Sequence, residues 1–521
     1  MRAIKSATTA ALLAFGLTSV GLAADDESTA DDDGTAKEFA AAIETFNARD
    51  PQSPDTLNTR LAYADFLTKL DHGDCRAQLD AARDQLDLAK ASPALEVVLP
   101  AARARLAHID YQLHSARASC GATANVRGQE LHAALASAQS AVEGYRHAFD
   151  AVSMVTMQFN TSMVYRSLGD TAAAAAALQT TIDMDREYGF ADDAAENYRL
   201  LLQWNQEKAG ADQIAARMRD FPHRSVTLEF GWFESDADVT FQTDVTGLAG
   251  GDTVHMHASR SAQRQVRKGL VSWSVSYHVS EAHYELGELP TDELLMPQFA
   301  NSLALMLMRF HDFRVTRHGD FDDGKGEFKF DSRARADAKP LARELGSSQL
   351  AHLFRSAVRE AQSAEAIEAR LAEDYNLEAG TWIGATLEQG VWYDMTASLS
   401  LPIAPQVYVM HKMQFTYSRP VPCTGASTEV SCVEIVLRAA PDPDILKASL
   451  ERLTRKSHLA GGQVPRLWST TTMRLVTDPK TLQPYSREMR HHAYWSSGEP
   501  GPDHALSESE TTVLSDQRAS P

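Results

Sequence analysis

The chain has 521 residues, 44% of them hydrophobic and 23% charged, with four cysteines and 70 acidic against 50 basic side chains. That length exceeds one ordinary domain, and the apolar content excludes wholesale disorder. A net charge of −20 argues against a nucleic-acid partner, because phosphates select a basic face.

At the start of the chain, Arg2 and Lys5 precede an apolar stretch from Ala10 to Leu22 and a small-x-small exit at Gly21-Leu22-Ala23. This pattern predicts a Sec-type signal peptide over residues 1–23, and therefore a periplasmic or secreted protein. The apolar stretch is shorter than the roughly 20 residues that span a bilayer, and no later run reaches that length. No membrane span is expected after cleavage. Residues 24–34 follow as an acidic leader, with six acids between Asp25 and Gly34 and no large side chain to bury, which predicts disorder.

Cysteines in an oxidising compartment can pair. Cys423 and Cys432 flank a turn-rich loop between two strand-like runs, which makes them a local staple. Cys75 and Cys120 then remain for each other, across two candidate helices. Four free thiols are the alternative; a zinc site lacks any Cys-x-x-Cys spacing.

Residues 35–220 read as a helical domain. Thr35-x-x-Glu38 forms a capping-box pattern ahead of Phe39, Ile43 and Phe46 on one helical face, and a break at Pro51 and Pro54 follows. A helix through Leu57, Leu61, Ala64 and Leu67 comes next, then segments over 78–91, 95–118, 131–149, 156–167, 172–185 and 194–209. The clearest stripe is Leu131, Leu135, Ala138, Val142, Tyr145 and Phe149. Antiparallel helices with short turns are the simplest architecture.

The segment Met163-Val164-Tyr165-Arg166-Ser167-Leu168-Gly169-Asp170, followed by an Ala-rich helix with Ala174, Ala177 and Ile182 at its close-packing positions, resembles the tetratricopeptide repeat. Leu61-Ala62-Tyr63 and Ile109-Asp110-Tyr111 mark two earlier candidate first helices, although their Tyr-to-Tyr steps exceed the family's period of about 34 residues. The resemblance implies a helical solenoid that holds a peptide or protein partner in the cell envelope. Arg166, Tyr198 and Trp204 are the candidate partner contacts. The bland alternative is a helical array with no ligand.

After Phe221-Pro222 the period changes from 3.6 to 2, and residues 225–521 read as an antiparallel β-rich α+β domain, or two subdomains. Val271 to Ser280 alternates without error. Shorter alternating runs cover 239–245, 254–258, 392–401, 407–417, 433–438, 467–476 and 485–495, with turn signals at Asp322-Asp323-Gly324-Lys325-Gly326 and Thr477-Asp478-Pro479-Lys480. Helices are expected over 297–310, 341–371 with a break at Gly346, and 444–456. Long strands with late helices are similar in pattern to the half-barrel carriers of lipoprotein trafficking, the LolA-like fold. That resemblance, over residues 225–521 and without a residue-level motif, implies a concave apolar sheet face able to hold acyl chains. The face with Trp273 and Tyr277 is the candidate ligand site, and an ordinary closed core is the bland alternative.

No Gly-x-Ser-x-Gly elbow, His-Glu-x-x-His pair or phosphate loop is present, so no catalytic residue, cofactor or metal is assigned. His255 and His257 share one strand face but lack a third ligand; His491 and His492 face opposite sides. Asp320-x-Asp322-Asp323-Gly324 departs from a calcium loop in its glycine and its twelfth residue, and reads as a hairpin turn. Asp442 and Asp444 are placed to cap a helix. Trp382, Trp392, Tyr393 and Tyr408 suit either a groove or strand packing. The sequence thus suggests a non-enzymatic envelope scaffold that docks a protein through its helices, with a lipid or hydrophobic-ligand carrier as the alternative.

Overall fold

The computed structural model describes residues 32–49, 53–70, 74–92, 95, 101–205, 216, 224–231, 236–249, 252–269, 272–291, 295–318, 329–333, 337–346, 349–401, 404–423, 431–457, 466–496 and 504–516. The signal-peptide segment, most of the acidic leader, Pro51, the Asp322–Gly326 turn and the loop between Cys423 and Cys432 lie outside the described residues. The chain divides into two compact units, one ending at Arg224 and one beginning at Ser225.

The first unit is built from α1 (Asp32–Arg49), α2 (Pro54–Lys69), α3 (Cys75–Lys90), α4 (Ala102–Ser119), α5 (Ala124–His147), α6 (Ala151–Ser167), α7 (Thr171–Tyr188) and α8 (Ala191–Trp204). Helix α1 starts at Asp32, three residues before the expected cap, so the end of the acidic leader belongs to the helix. Side-chain oxygens of Ser53, Asp74, Thr123, Asp150 and Asp170 accept the first free N–H groups of α2, α3, α5, α6 and α7. Neighbours in sequence pack as neighbours in space from α4 to α8. Ala174, Ala177 and Ile182 are buried in α7.

The turns of this unit have a regular grammar. Left-handed residues stand at Phe149, Gly169 and Gly189, twenty positions apart, with φ of 55°, 83° and 86°. Each of the first two is followed by an Asp that caps the next helix. Two helices therefore advance the chain by twice that step, more than the roughly 34 residues of a tetratricopeptide unit. The Cys75–Cys120 disulfide ties the start of α3 to the end of α4, with its Cα atoms 6.1 Å apart.

In the second unit, β1 (Ser225–Thr227) and β7 (Thr386–Glu388) pair by themselves. The other eleven strands form one antiparallel sheet. They are β2 (Ala237–Ala249), β3 (Asp252–Lys268), β4 (Ser272–Leu286), β5 (Phe313–His318), β6 (Lys329–Arg333), β8 (Trp392–Leu401), β9 (Ala404–Pro422), β10 (Ser431–Pro441), β11 (Arg466–Thr477), β12 (Pro484–Ser496) and β13 (His504–Asp516). Their order is β6-β5-β4-β3-β2-β13-β12-β11-β10-β9-β8. The last strand joins the two halves by pairing with β2 on one side and β12 on the other. Cys423 and Cys432 are bonded where β9 leads into β10.

Helices α9 (Leu295–Arg309), α10 (Lys339–Glu344), α11 (Gln349–Ala361), α12 (Ala364–Tyr375) and α13 (Pro443–Ser457) complete the unit, with a π-helical turn over Asn376–Gly380 after α12. The expected helix over 341–371 is thus three pieces. It breaks at Gly346, as the sequence suggests, and again at Ser363, whose hydroxyl caps α12.

Strand register places alternate residues in one row across the sheet, and that inner face carries two separate cores. At one end, Val245, Val254, Met256, Ala258, Ala493, Trp495 and Leu506 pack under α9 and α11 through Phe299, Leu303 and Phe354. At the other, Tyr393, Met413, Phe415, Ile435, Leu437, Met473 and Leu475 pack under Leu377, Ala379 and Trp382. Burial of this kind contributes roughly 1.5–3 kcal/mol per large side chain. Between the two cores part of the sheet is left uncovered.

Candidate functional site

The uncovered stretch is the floor of a cavity of about 710 Å³. Its walls include Val239 and Phe241 of β2, Phe313, Val315 and Arg317 of β5, Leu399 and Leu401 of β8, Met489 of β12 and Leu514 of β13. Strands β5 and β8 are nine places apart in the sheet order, about 43 Å if the sheet were flat at 4.8 Å per strand. One cavity touching both requires a strongly curved sheet. Its eleven strands do not close, because β6 and β8 remain the two edges.

Helix α12 forms the roof. Ile367, Arg370, Leu371 and Asp374 follow one another at steps of three, one and three, which puts them on one helical face, and all four line the cavity. No residue of α12 is buried, although α11 just before it buries Leu350, Phe354 and Val358. The inner side chains of the roof are half-buried over the cavity.

The C-terminal end of the roof is pinned by acids. Ser400 donates to the Glu373 carboxylate from its backbone N–H at 3.0 Å and from its hydroxyl at 2.9 Å. Arg487 donates from Nη1 to Asp374 at 2.8 Å and to Glu378 at 2.8 Å, and from Nη2 to Glu510 at 2.8 Å. Arg309, the last residue of α9, pairs with the same Glu510. Burial would raise the Glu510 carboxyl, but Arg309 and Arg487 outweigh it and hold the group well below the usual carboxylate range. The same contest, won by Arg487, Arg370 and Arg309, keeps Asp374 low.

Two further groups on the floor are shifted toward their neutral forms by burial. Glu508 and His491 are cross-strand partners. Burial, reinforced by the charge of Glu510, pushes Glu508 up to about 7. Burial lowers His491 to about 4, and its Nδ1 lies 2.8 Å from the Thr471 hydroxyl.

The lining arginines divide between the two sides, with Arg309, Arg370 and Arg487 among the acids. From β2 to β5 the lining residues include Arg260, Arg264 and Arg317 and no acid; the acids come from α11, α12, the π-turn and β13. The Arg260 guanidinium lies 5.6 Å from the Phe241 ring centroid and 5.9 Å from that of Tyr277, and Arg309 lies 4.4 Å from Phe241 on its own account. Nη1 of Arg260 donates to the Arg309 carbonyl, while its buried Nε has no partner among the described residues. Burial, then the charge of Arg309, brings Arg260 down to about 10.

The residues singled out by sequence fall as follows. Tyr277 lines the cavity, whereas Trp273 is buried on the same face away from it, with Lys268 Nζ 5.0 Å above its ring. Tyr408 lines the cavity; Trp382 is core, donating from Nε1 to the Leu377 carbonyl at 2.7 Å. Tyr198 and Trp204 pack against Leu178, Ile182 and Leu201, and Arg166 lies 4.7 Å over the Trp204 ring. These three are therefore engaged with one another or with the helical core. His257 Nδ1 lies 2.7 Å from Asp244, and His255 Nδ1 lies 3.4 Å from the Thr246 hydroxyl. Asp442 accepts from the N–H groups of Asp444 and Ile445, a cap as expected.

Arg260, Arg309, Arg487, Glu508 and Glu510 were not singled out by sequence. The signal was present in Glu508-x-Glu510, two acids on one face of an alternating strand, but the surrounding Ser and Thr make that segment read as polar loop.

No protein-family model matches the chain, and no curated protein matches it. Among the described residues no helix is long and apolar enough to cross a membrane. Two disulfides fit an oxidising compartment.

Proposed function

We propose that the second unit is a carrier for a hydrophobic or amphiphilic ligand, acting in the periplasm or outside the cell. The observation that supports this most directly is the roof: α12 spans an uncovered part of a curved sheet and buries none of its own side chains there. A protein core of this size normally fills such space, at a cost of about 24 cal/mol per Å³ left empty. Apolar walls with a few buried polar groups are what a small-molecule site requires. The first unit, whose candidate contacts Tyr198 and Trp204 take part in packing, remains a helical array with a protein-docking role as the second expectation.

The test uses the full mature chain. Native mass spectrometry with lipid extraction, and titration with the neutral fluorophore N-phenyl-1-naphthylamine, should reveal a bound apolar molecule or saturable binding. Ala369 lines the cavity from the roof, so Ala369→Trp should lower fluorophore affinity by tenfold or more at an unchanged melting temperature. Folded wild-type protein that carries nothing and binds no fluorophore would overturn the carrier reading.

A further inference from the structure

The floor carries a polar pair that the network around Arg487 does not use. Thr471, His491 and Glu508 are register partners on β11, β12 and β13, so they stand in one row, and all three line the cavity. Apolar residues bound that row on both sides, Ala439 on β10 and Val245 on β2. Neighbouring strands lie about 4.8 Å apart, so one small polar group can reach both His491 and Glu508. The Thr471 hydroxyl occupies Nδ1 of His491, which leaves Nε2 as the remaining ring nitrogen. Among the described residues neither that Nε2 nor the Glu508 carboxyl makes a hydrogen bond, and Glu508 has no ion pair. Both side chains are half-buried at the cavity wall.

The charges around this pair give no net attraction to a charged head. Six arginines and seven acids line the cavity, with Glu360 of α11 and Glu365 of α12 counted, so a head of either sign meets like charges as well as opposite ones. Glu508 itself faces Glu510 along its own strand, Arg309 at the end of α9, Arg370 on the roof and His491 across the ladder. Burial and Glu510 outweigh the two arginines and draw Glu508 toward its protonated form. Burial, with His492, His411 and Arg487, draws His491 toward its neutral form against the pull of Glu510. A protonated carboxyl both donates and accepts, and a neutral imidazole nitrogen does one or the other. A hydroxyl also does both, so it can satisfy the two groups at once. An apolar molecule without such a group would cover them unpaired, which is costly.

We propose that the cavity takes single-chain amphiphiles with an uncharged hydroxyl head, the head bridging Glu508 and His491 and the chain lying beneath Ile367 and Leu371 of the roof. Primary alcohols and monoacylglycerols share that chemistry. This inference rests on the carrier reading above, and its test separates the two. Covering Glu508 with a neutral molecule removes the water that an ionised carboxylate needs, so binding favours the protonated group and weakens as pH rises through about 7.

Displacement of N-phenyl-1-naphthylamine from the full mature chain by dodecanol, 1-dodecanoylglycerol, dodecyl sulfate and dodecyltrimethylammonium reads the head preference at pH 6. Each is used below its micelle or solubility limit. The two hydroxyl ligands should bind about tenfold tighter than either ion, or more. Dodecanol affinity should fall about tenfold between pH 6 and pH 8 in wild type. Glu508→Gln stays neutral and keeps a donor and an acceptor, so it should match wild type at pH 6 and hold that affinity at pH 8. Glu508→Leu should lower dodecanol affinity about fivefold or more and leave fluorophore affinity unchanged; His491→Phe is a second variant should that one fail to fold. Equal or tighter binding of either ion, or a folded Glu508→Leu protein that binds dodecanol as wild type does, would overturn the head assignment while leaving the carrier intact. Absence of fluorophore binding would remove the carrier itself, and the head assignment with it.

Discussion

Arg487 and Glu510 meet at 2.8 Å across two neighbouring strands, on the diagonal of the ladder, since the residue directly opposite Arg487 is Thr512. Arg309 reaches the same carboxylate from the end of α9, and Asp374 and Glu378 reach the same guanidinium from the roof and its π-turn. Sheet, inner helix and roof are therefore joined through one buried carboxylate and one buried guanidinium. Removing one partner of such a network leaves charges buried without compensation, which costs about 3–5 kcal/mol. Glu510→Gln should lower the stability of the β unit by that order in urea denaturation. A loss below about 1 kcal/mol would mean that the pairing is solvated and not a structural junction.

The oppositely shifted pair on the floor, Glu508 and His491, gives the β unit an unusual pH response. Glu508 is raised from 4.5 to about 7, so between those values the folded state holds a proton that the unfolded state has released, and stability falls as pH rises. His491 is lowered from 6.5 to about 4, so in its window the unfolded state holds the extra proton and stability rises with pH. The two slopes oppose each other from about 4.5 to 6.5, and the Glu508 slope stands alone from about 6.5 to above 7. Wild-type stability should therefore decline most clearly on going from pH 6.5 to pH 8. Glu508→Gln should flatten that decline and gain on the order of 2 kcal/mol at pH 8. A mutant curve parallel to wild type would show that Glu508 is ionised throughout.

In the helical unit, α4 and α5 approach so closely at Gly144 that a Cβ built there would lie 2.7 Å from the Ala104 Cβ and 3.0 Å from its Cα. Alanine would gain about 1 kcal/mol in helix propensity over glycine. The clash is with a backbone-anchored methyl that cannot rotate away, and overpacking of that kind costs about 1–3 kcal/mol. Gly144→Ala should therefore destabilise the unit, and Ala104→Gly in the same chain should restore it. A stabilised single mutant in thermal melts would show that the two helices separate without penalty.

How much of this was legible beforehand depends on how strongly each segment alternates. Strand β8 runs from Trp392 to Leu401, as its alternating pattern indicates, and the paired cysteines follow from their surroundings. Strands β2, β3 and β9 extend well past their apolar alternation, because hydrogen bonding to neighbours continues where side chains become polar. Strand β13 was missed altogether: only Leu506 and Leu514 mark its inner face, with Glu508, Glu510 and Thr512 between them. Those polar residues are inward-facing because a cavity and two arginines receive them, and such partners, distant in sequence, leave no local periodic trace. The roof was hidden for the same reason. Its apolar stripe joins that of α11 in sequence, and only the break at Ser363 turns it over the cavity.

The roof itself yields the last prediction. A helix with no buried side chain is held by its end contacts and by whatever lies beneath it, so its opening free energy should be far below that of its neighbour. In lipid-stripped protein, amide hydrogens of residues 368–375 should exchange about tenfold or more faster than those of 353–361. Asp374→Asn weakens the bond to Arg487 and should raise exchange in the roof further while leaving α11 unchanged. Saturation with dodecanol should slow the roof in wild type, because the chain would add apolar contact beneath Ile367 and Leu371, which line the cavity. Equal protection of α11 and α12 in the empty protein would show that the roof is a fixed layer, and entry would then have to be sought at the open edge between β6 and β8.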